Sequence, residues 1–436
     1  MTDTAFDNSA VEEAMAVAGI EVAQPDWDYM SAPDAATLDR SFIWDGRLFQ
    51  NDRHHLWFDY LREHAPVHWF ENGPTGGYWS VTRYEDIMAV DTNHRVFSSH
   101  ENITIGDADR SFLPTMFIAK DPPHHTQQRK AAMPTVARPR MGELEALIRG
   151  RVADVLDNLP DGEFDWVETV SRDLTIKMLA TLFDMPWEDR HKLSEWSDTS
   201  TESELMGNFE VRPMEERMQV LFECLQYFQK LWAERAAQPP RPDFISMMAH
   251  NPETQGMIAD PFDFMGNLML LIVGGNDTTR NTMSASVQLM HEHPDQLQLL
   301  KDDPDLMKNM VDEVIRYHTP LPHMRRTAAE DTVLGGKQIK AGDRVVMWYI
   351  SGNRDGSVFE DPHRFDITRR GANRHMAFGF GIHRCMGNHV ADLQLRILWE
   401  EILERFERIE VVGEVEKLPS CFVHGITKLP VRVVRK

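Results

Sequence analysis

The 436-residue sequence is poor in cysteine and has no long hydrophobic run. Its three cysteines, Cys224, Cys385 and Cys421, are far apart, which argues against a disulfide framework and against a CxxC zinc site. The most apolar stretch, residues 264–273, is interrupted by a glycine and an asparagine and has about half the length of a membrane span. These shortages predict a reduced, intracellular protein without a transmembrane helix.

Basic residues are scarce compared with acidic ones. Lys plus Arg number 46 against 69 for Asp plus Glu, which gives a net charge of -23. Such a surface repels phosphate groups, so we expect neither nucleic acid nor an anionic membrane as a partner. The first basic residue is Arg40, and a secretory signal would need a basic start. We therefore expect a cytoplasmic protein, in which residues 1–40 form an acidic extension.

Apolar spacing predicts a mainly α fold with a minor β part. Between about residues 141 and 317 apolar side chains recur at helical intervals, and a long segment of this kind covers residues 261–290. Later, the pair Gly335-Gly336 predicts a hairpin, and residues 345–349 have the composition of a strand. A last long helix is predicted over residues 388–405. No repeat or flexible linker divides the chain, which favours one domain.

Cys385 differs from the other two cysteines in its neighbours. It follows a glycine-rich segment and immediately precedes a predicted helix, whereas Cys224 and Cys421 lie in apolar patterns typical of small buried side chains. Glycines allow a bulky group to approach the backbone, and a helix start lowers the pKa of a thiol. These features indicate either a metal ligand or a nucleophile, and they do not decide between the two.

The segment from Phe378 to Gly387 resembles the haem-binding loop of the cytochrome P450 monooxygenases. It has the pattern Phe-Gly-x-Gly-x-His-x-Cys-x-Gly, which Phe378, Gly379, Gly381, His383, Cys385 and Gly387 fill. The resemblance implies a haem b cofactor with Cys385 as the thiolate ligand of the iron. It also implies the triangular, single-domain P450 fold over residues 1–436. A non-haem iron site at His54-His55 or His291-x-His293 is disfavoured, because no suitably placed carboxylate accompanies either pair.

The same resemblance implies a set of cationic residues for the two haem propionates. His125 and Arg129 stand four apart, as in the family segment that binds propionate, and His124 is expected to lie outside the site. Arg326 matches a second propionate ligand, with Arg325 as a weaker candidate. His383, two residues before Cys385, completes this set of expected haem-binding residues.

Two further motifs match the family. Gly274 to Thr279 interrupts an apolar helix and resembles the oxygen-binding groove, which implies that Thr278 lies beside bound dioxygen and that Asp277 supplies protons through water. Glu313 and Arg316 resemble the Glu-x-x-Arg pair that joins a downstream arginine, and Arg364 matches that arginine. This triad is expected to be structural.

The residues around Cys385 and Thr278 also resemble one bacterial branch of terminal hydroxylases of medium-chain alkanes and fatty acids. That branch implies a hydrophobic substrate, O2 as oxidant, and electrons from a 2Fe–2S ferredoxin and its reductase to a monomer. The alternatives are a hydroxylase of a terpene, steroid or other hydrophobic substrate, a peroxide-driven peroxygenase, and a non-catalytic haem-binding or sensing protein. Predicted substrate-facing residues are Phe112, Met116, Ile118, Leu321, Phe422 and Val423, and predicted ferredoxin-facing residues are Lys130, Arg138, Arg140, Arg374 and Arg384.

Overall fold

The computed structural model describes residues 22–107 and 115–436, and α-helix dominates this part of the chain. The predicted mainly α class and single domain are confirmed. The α-helices are α1 (Gly46–Gln50), α2 (His54–His64), α3 (Tyr84–Asp91), α4 (His124–Ala132), α5 (Met141–Asp157), α6 (Asp173–Phe183), α7 (Lys192–Thr201), α8 (Met214–Ala236), α9 (Phe244–His250), α10 (Pro261–Glu292), α11 (Pro294–Asp302), α12 (Met307–His318), α13 (Tyr349–Gly352) and α14 (Asn388–Arg405).

The β part consists of small sheets. A five-stranded sheet has the order β1-β2-β8-β5-β3, in which β2 and β8 pair in parallel and the other neighbours are antiparallel. A three-stranded sheet has the order β4-β12-β9, and β6-β7 and β10-β11 are two-stranded. The strands are β1 (Val67–Phe70), β2 (Tyr78–Val81), β3 (Phe97–Ser98), β4 (Glu163–Asp165), β5 (His323–Ala328), β6 (Thr332–Leu334), β7 (Lys337–Ile339), β8 (Arg344–Trp348), β9 (Phe406–Val411), β10 (Glu416–Lys417), β11 (Ile426–Lys428) and β12 (Pro430–Arg435).

Helix α10 runs through the main hydrophobic core. It begins at Pro261, and the side chain of Asp260 caps it by accepting hydrogen bonds from the next two free backbone N–H groups. It ends at Glu292, two residues beyond the predicted end, where His293-Pro294 cannot continue the same helix. The predicted hairpin at Gly335-Gly336 and the predicted helix over residues 388–405 are both present.

The Glu-x-x-Arg motif of α12 lies at the centre of a buried ionic cluster, but its third member is not the predicted one. Glu313 accepts hydrogen bonds from Nε of Arg316 at 2.7 Å and from Nε of Arg369 at 3.0 Å. The prediction of Arg364 is wrong: its side chain is exposed, and only its backbone carbonyl joins the cluster. Arg369 occupies the place: its buried guanidinium also donates to the backbone carbonyls of Asp361 at 3.1 Å and Arg364 at 2.6 Å, which hold this later side chain inward.

Other expectations can be placed on the fold. Cys224 and Cys421 are fully buried, as predicted. Among the described residues no helix is long and apolar enough to cross a membrane, and no cluster of three or more His, Cys, Asp or Glu side chains could hold a metal ion. Most of the predicted acidic extension and Phe112 lie outside the described residues, and the described Trp27 donates a hydrogen bond to Asp45 at 2.8 Å.

Candidate active site

A large, mainly apolar cavity of about 520 Å³ lies between α10 and the loop that precedes α14. Cys385 lines it from the loop, and Thr278 lines it from α10. Leucine, methionine and phenylalanine side chains from α6, α8, α9 and α10 form much of the remaining lining. The structure therefore brings the two central motifs of the sequence to one cavity.

The glycines of the Cys385 loop are required by its backbone. Gly379 has φ of 63° and Gly381 has φ of 64°, in the left-handed region that side chains disfavour. A Cβ atom at Gly381 would also lie 2.5 Å from the backbone oxygen of Asp91. The loop then turns back on itself, since the backbone N–H of Cys385 donates to the carbonyl of Phe378 at 2.8 Å. The motif spacing thus sets the position of the cysteine ahead of α14.

A residue that the sequence analysis did not identify, Asp91, holds this loop in place. One of its carboxylate oxygens accepts from the backbone N–H of Phe380 at 2.7 Å and from the hydroxyl of Tyr349 at 2.8 Å. The other accepts from Arg326 at 2.8 Å. Asp91 is 2% exposed, so these charge-assisted bonds form in a dry environment. It joins the cysteine loop to strand β5.

The thiol of Cys385 faces the cavity and not the outer surface. The residue is exposed to this space, but it lies deep in the fold, where desolvation raises the pKa of the thiol, whereas the Gly387 backbone N–H and Arg129 act in the opposite direction. The sequence predicted a lowered pKa from the helix start. Burial outweighs that effect, because a thiolate loses more from desolvation than it gains from one helix end.

The four residues predicted to bind the haem propionates come together beside the cysteine. Arg129, Arg326 and His383 line the cavity, and His125 lies directly behind them with its ring centre 4.3 Å from that of His383. Burial, followed by the charge of Arg129, lowers the pKa of His125 to about 4. The other candidate, Arg325, is instead paired with Asp107. The exposed His124 stays outside, as expected.

Unused polar atoms make this group a good fit for an anionic cofactor. Within the described residues, neither ring nitrogen of His125 has a hydrogen-bond partner, and the same holds for Nδ1 of His383 and Nε of Arg326. Buried donors without acceptors cost free energy, so they favour ligands that supply acceptor oxygens. The two propionates of haem supply such oxygens. The residues present therefore fit haem.

The side chains of Asp277 and Thr278 lie on different faces of α10: Thr278 lines the cavity, and Asp277 is buried in the protein. The hydroxyl of Thr278 donates to the Gly274 carbonyl at 2.8 Å and faces the cavity. Asp277 is 1% exposed, and its Oδ1 accepts from Ser197 at 3.1 Å and lies 3.1 Å from Arg280. Its Oδ2 has no partner among the described residues, and burial raises its pKa.

The two glycines before this pair have separate roles. A Cβ atom at Gly275 would lie 2.6 Å from a methyl group of Leu179, so close packing against α6 excludes a side chain. A Cβ atom at Gly274 would meet no described atom within 4 Å and would project into the open space of the cavity. Besides the unpartnered polar atoms near Cys385, this open space beside the helix is a further feature that fits a large flat cofactor.

The predicted substrate-facing residues are only partly confirmed as cavity residues. Met116, Ile118, Leu321 and Phe422 line the cavity. Val423 is buried at 2% exposure but is not part of the lining, so its placement in the substrate channel is wrong. Successive residues in an extended segment point to opposite sides, and here Phe422 takes the inward position.

A mainly α scaffold in which a glycine-loop cysteine and Thr278 of α10 line one cavity, with Asp277 buried behind that threonine, is the architecture of a haem-thiolate oxygenase. The sequence profile of the family described as Cytochrome P450 matches residues 41–432. The chain belongs to this family, which uses haem b, and it is a cytochrome P450 monooxygenase.

Characterised relatives and solved structures agree with this assignment. Linalool 8-monooxygenase from Pseudomonas putida is 36% identical over 412 residues, covering 92% of this chain and 100% of that protein. CYP153D17 from Sphingomonas sp. PAMC 26605 is 46% identical with a TM-score of 0.85, covering 91% of this chain and 100% of that one. Cytochrome P450-153 from Novosphingobium aromaticivorans is 45% identical with a TM-score of 0.82, covering 90% and 98%.

Proposed function

We propose that the enzyme hydroxylates the terminal methyl group of medium-chain n-alkanes or fatty acids. The observation that carries this proposal is the cavity, whose mainly apolar lining includes both Cys385 and Thr278. An apolar chamber stabilises a hydrocarbon chain by removing it from water, at about 25 cal/mol for each Å² buried. The branch resemblance of the two motifs supports a chain substrate.

The names of two relatives support oxidation at a chain end. Linalool 8-monooxygenase and the steroid C26-monooxygenase of Mycolicibacterium smegmatis, which is 33% identical over 385 residues, are both named for positions at the end of a carbon chain. Internal C–H bonds are weaker than those of a methyl group, so a chain without constraint reacts internally. Each tenfold preference for the terminus needs about 1.4 kcal/mol of selective stabilisation, which steric exclusion can supply.

Different residues of the chain bind different parts of the cofactor. When bound, haem supplies the activation of O2 for insertion of one oxygen atom into a C–H bond, with Cys385 as its thiolate ligand. His125, Arg129, Arg326 and His383 pair with its propionates. These residues fix the cofactor relative to α10, so that a methyl group held in the cavity meets the reactive centre.

Proton delivery belongs to Asp277 and Thr278. Because burial raises the pKa of Asp277, its carboxyl group retains a proton more readily than an exposed aspartate, and its unpartnered Oδ2 is available to pass that proton on through water. The Thr278 hydroxyl lies on the cavity side of the helix, where it would hold the last proton donor for the chemistry that haem supplies. A peroxygenase would not need this pair.

Electrons are supplied by a 2Fe–2S ferredoxin and its reductase to a monomeric, cytoplasmic enzyme. Lys130, Arg138, Arg374 and Arg384 are exposed and offer positive charge for an acidic ferredoxin, whereas Arg140 lies 3.0 Å from Glu143. Steering between opposite charges weakens as salt increases. The reduction rate is expected to fall with ionic strength, and a rate independent of salt would contradict this docking site.

The substrate proposal is tested with the holoenzyme, ferredoxin, reductase and a panel of n-alkanes, fatty acids, terpenes and steroids. Binding is measured from the haem spin-state shift, and products are identified by mass spectrometry with 18O2. Primary alcohols or ω-hydroxy acids carrying one labelled oxygen are expected. Mainly secondary alcohols, or turnover of polycyclic substrates alone, would overturn the proposal. Binding without any oxygenated product would favour a haem-binding or sensing protein.

A further inference from the structure

One end of the cavity is polar, in contrast to the rest of its lining. This polar end consists of the last three residues of α7, the start of the segment that follows it, and the first turn of α8: Thr199, Ser200, Thr201, Glu202, Ser203, Glu204 and Arg217. An n-alkane has no group that can use these side chains. The hydroxyls of the three α7 residues donate to backbone carbonyls of their own helix, and Glu202 pairs with Arg212, so Arg217 is the member with an unpartnered buried donor, which an alkane cannot satisfy. The polar end therefore points to a substrate with a polar group of its own.

Arg217 is the buried cation of this polar end. It is 6% exposed and lines the cavity. Its Nη1 donates to the backbone carbonyl of Glu202, and its Nη2 lies 3.5 Å from Oε1 of Glu204. Its Nε has no partner among the described residues. Since a guanidinium has five donors, Arg217 retains hydrogen-bonding capacity beside the cavity that it lines.

The neighbouring charges leave Arg217 available to an anion. The carboxylate of Glu202 is already paired with Arg212, whose Nε donates to both carboxylate oxygens at 2.9 and 3.1 Å. Arg212 also donates to the hydroxyl of Thr199 at 2.6 Å. Glu204 makes the longer contact, and its side chain is 21% exposed. It can turn to solvent when another carboxylate takes its place. A guanidinium and a carboxylate match in geometry as well as in charge.

We propose that Arg217 binds the carboxylate of a medium-chain fatty acid and so presents the methyl end of the chain to the Cys385 side of the cavity. The inference rests on the proposed terminal hydroxylation and selects fatty acids over alkanes as the preferred class. Fixing the polar group at one end of the cavity also limits which carbon reaches the reactive centre, which is a positional source of terminal selectivity.

The test compares dodecanoic acid with dodecane in the holoenzyme and in Arg217→Met. Kd is measured for each ligand from the spin-state shift, and the spectrum of the reduced, CO-bound form verifies the fold. We expect the ratio of the acid Kd to the alkane Kd to rise about tenfold or more in Arg217→Met. Arg212→Met is the matched control, because Arg212 is not part of the cavity lining, and its ratio should change less than about twofold.

Two further measurements separate the possible outcomes. Glu204→Gln removes the competing carboxylate and should tighten the binding of the acid. If Arg217 only holds the α7–α8 connection in place, both ligands weaken together and the ratio stays constant, which would overturn the inference. The proposed function is judged separately: ω-hydroxylated products with an unchanged ratio reject only the role of Arg217, whereas absence of terminal products rejects the proposed function itself.

Discussion

Two buried carboxylates, each paired with arginine, have different degrees of hydrogen-bond satisfaction. Glu313 is 0% exposed, and both of its oxygens accept hydrogen bonds from Arg316 and from Arg369. Asp277 is 1% exposed, but all of its contacts are made through Oδ1, and Oδ2 has no partner in the described part of the chain. The first group is saturated and the second is not.

This difference separates a structural ion cluster from a group suited to proton transfer. A saturated buried cluster has no lone pair to spare, and protonation would break several strong bonds at once. An unsaturated carboxyl group carries a desolvation cost that favours its protonated form and leaves one oxygen free to exchange a proton. The difference predicts opposite responses to the same chemical change, the replacement of a carboxylate by an amide.

Glu313→Gln should have the largest effect on the folded protein. The neutral amide leaves two buried guanidinium groups without a counter-ion, which is expected to cost about 3–5 kcal/mol of the free energy of unfolding. Urea unfolding and haem content measure the loss. Arg364→Gln is the control, since that side chain is exposed, and it should change stability by about 0.5 kcal/mol or less. Equal effects of the two variants would contradict the assignment of Arg369.

Asp277→Asn should leave the fold and haem content intact but lower turnover by about 100-fold. The amide retains the oxygen that accepts hydrogen bonds from Ser197 and Asn276 but no longer releases a proton. Product formation per minute is measured at saturating substrate and reductant, together with the kinetic effect of D2O. Turnover at the wild-type rate with an unchanged D2O effect would remove Asp277 from the proton path.

Thr278→Ala should have a smaller effect, confined to coupling. Loss of one hydroxyl removes a hydrogen bond of about 1 kcal/mol, so the ratio of product formed to NAD(P)H consumed should fall about fivefold, with the difference recovered as hydrogen peroxide. Thr278→Ser keeps a hydroxyl and should restore most of the coupling. A peroxide yield that is the same in all three proteins would count against a role beside oxygen.

The sequence alone predicts those structural features that depend on residues close together in the chain. The start of α10, the hairpin at Gly335-Gly336 and the helix over residues 388–405 depend on neighbours within a few residues, and all three are found as predicted. Arg369 was missed because Arg364 and Arg369 both follow Asp361-Pro362, and only the folded turn determines which side chain points inward. The local sequence around Asp91 resembles an ordinary helix end.

Long-range contacts explain what local patterns could not show. Asp91 acts on Phe380, 289 positions away, and a single sequence carries no signal for that contact. The raised pKa of Cys385 has a similar origin, since the burial that opposes the helix start comes from the whole fold. The charge environment of a residue and the direction of its side chain could therefore be determined only from the structure.

The pH dependence of stability provides the finest test of the Asp277 environment. Burial raises the pKa of Asp277 above its value in the unfolded chain, so the folded state binds this proton more tightly. Its contribution to stability is present below about pH 4, the usual pKa of an unfolded aspartate, and is lost as the pH rises through the folded pKa. Asparagine does not titrate. The free energy of unfolding of the wild type minus that of Asp277→Asn should therefore decrease from about pH 4 upward and then level off, by less than the loss in Glu313→Gln. A difference that grows with pH would mean that the Arg280 ion pair outweighs burial, and Asp277 would then belong with Glu313 among the structural carboxylates.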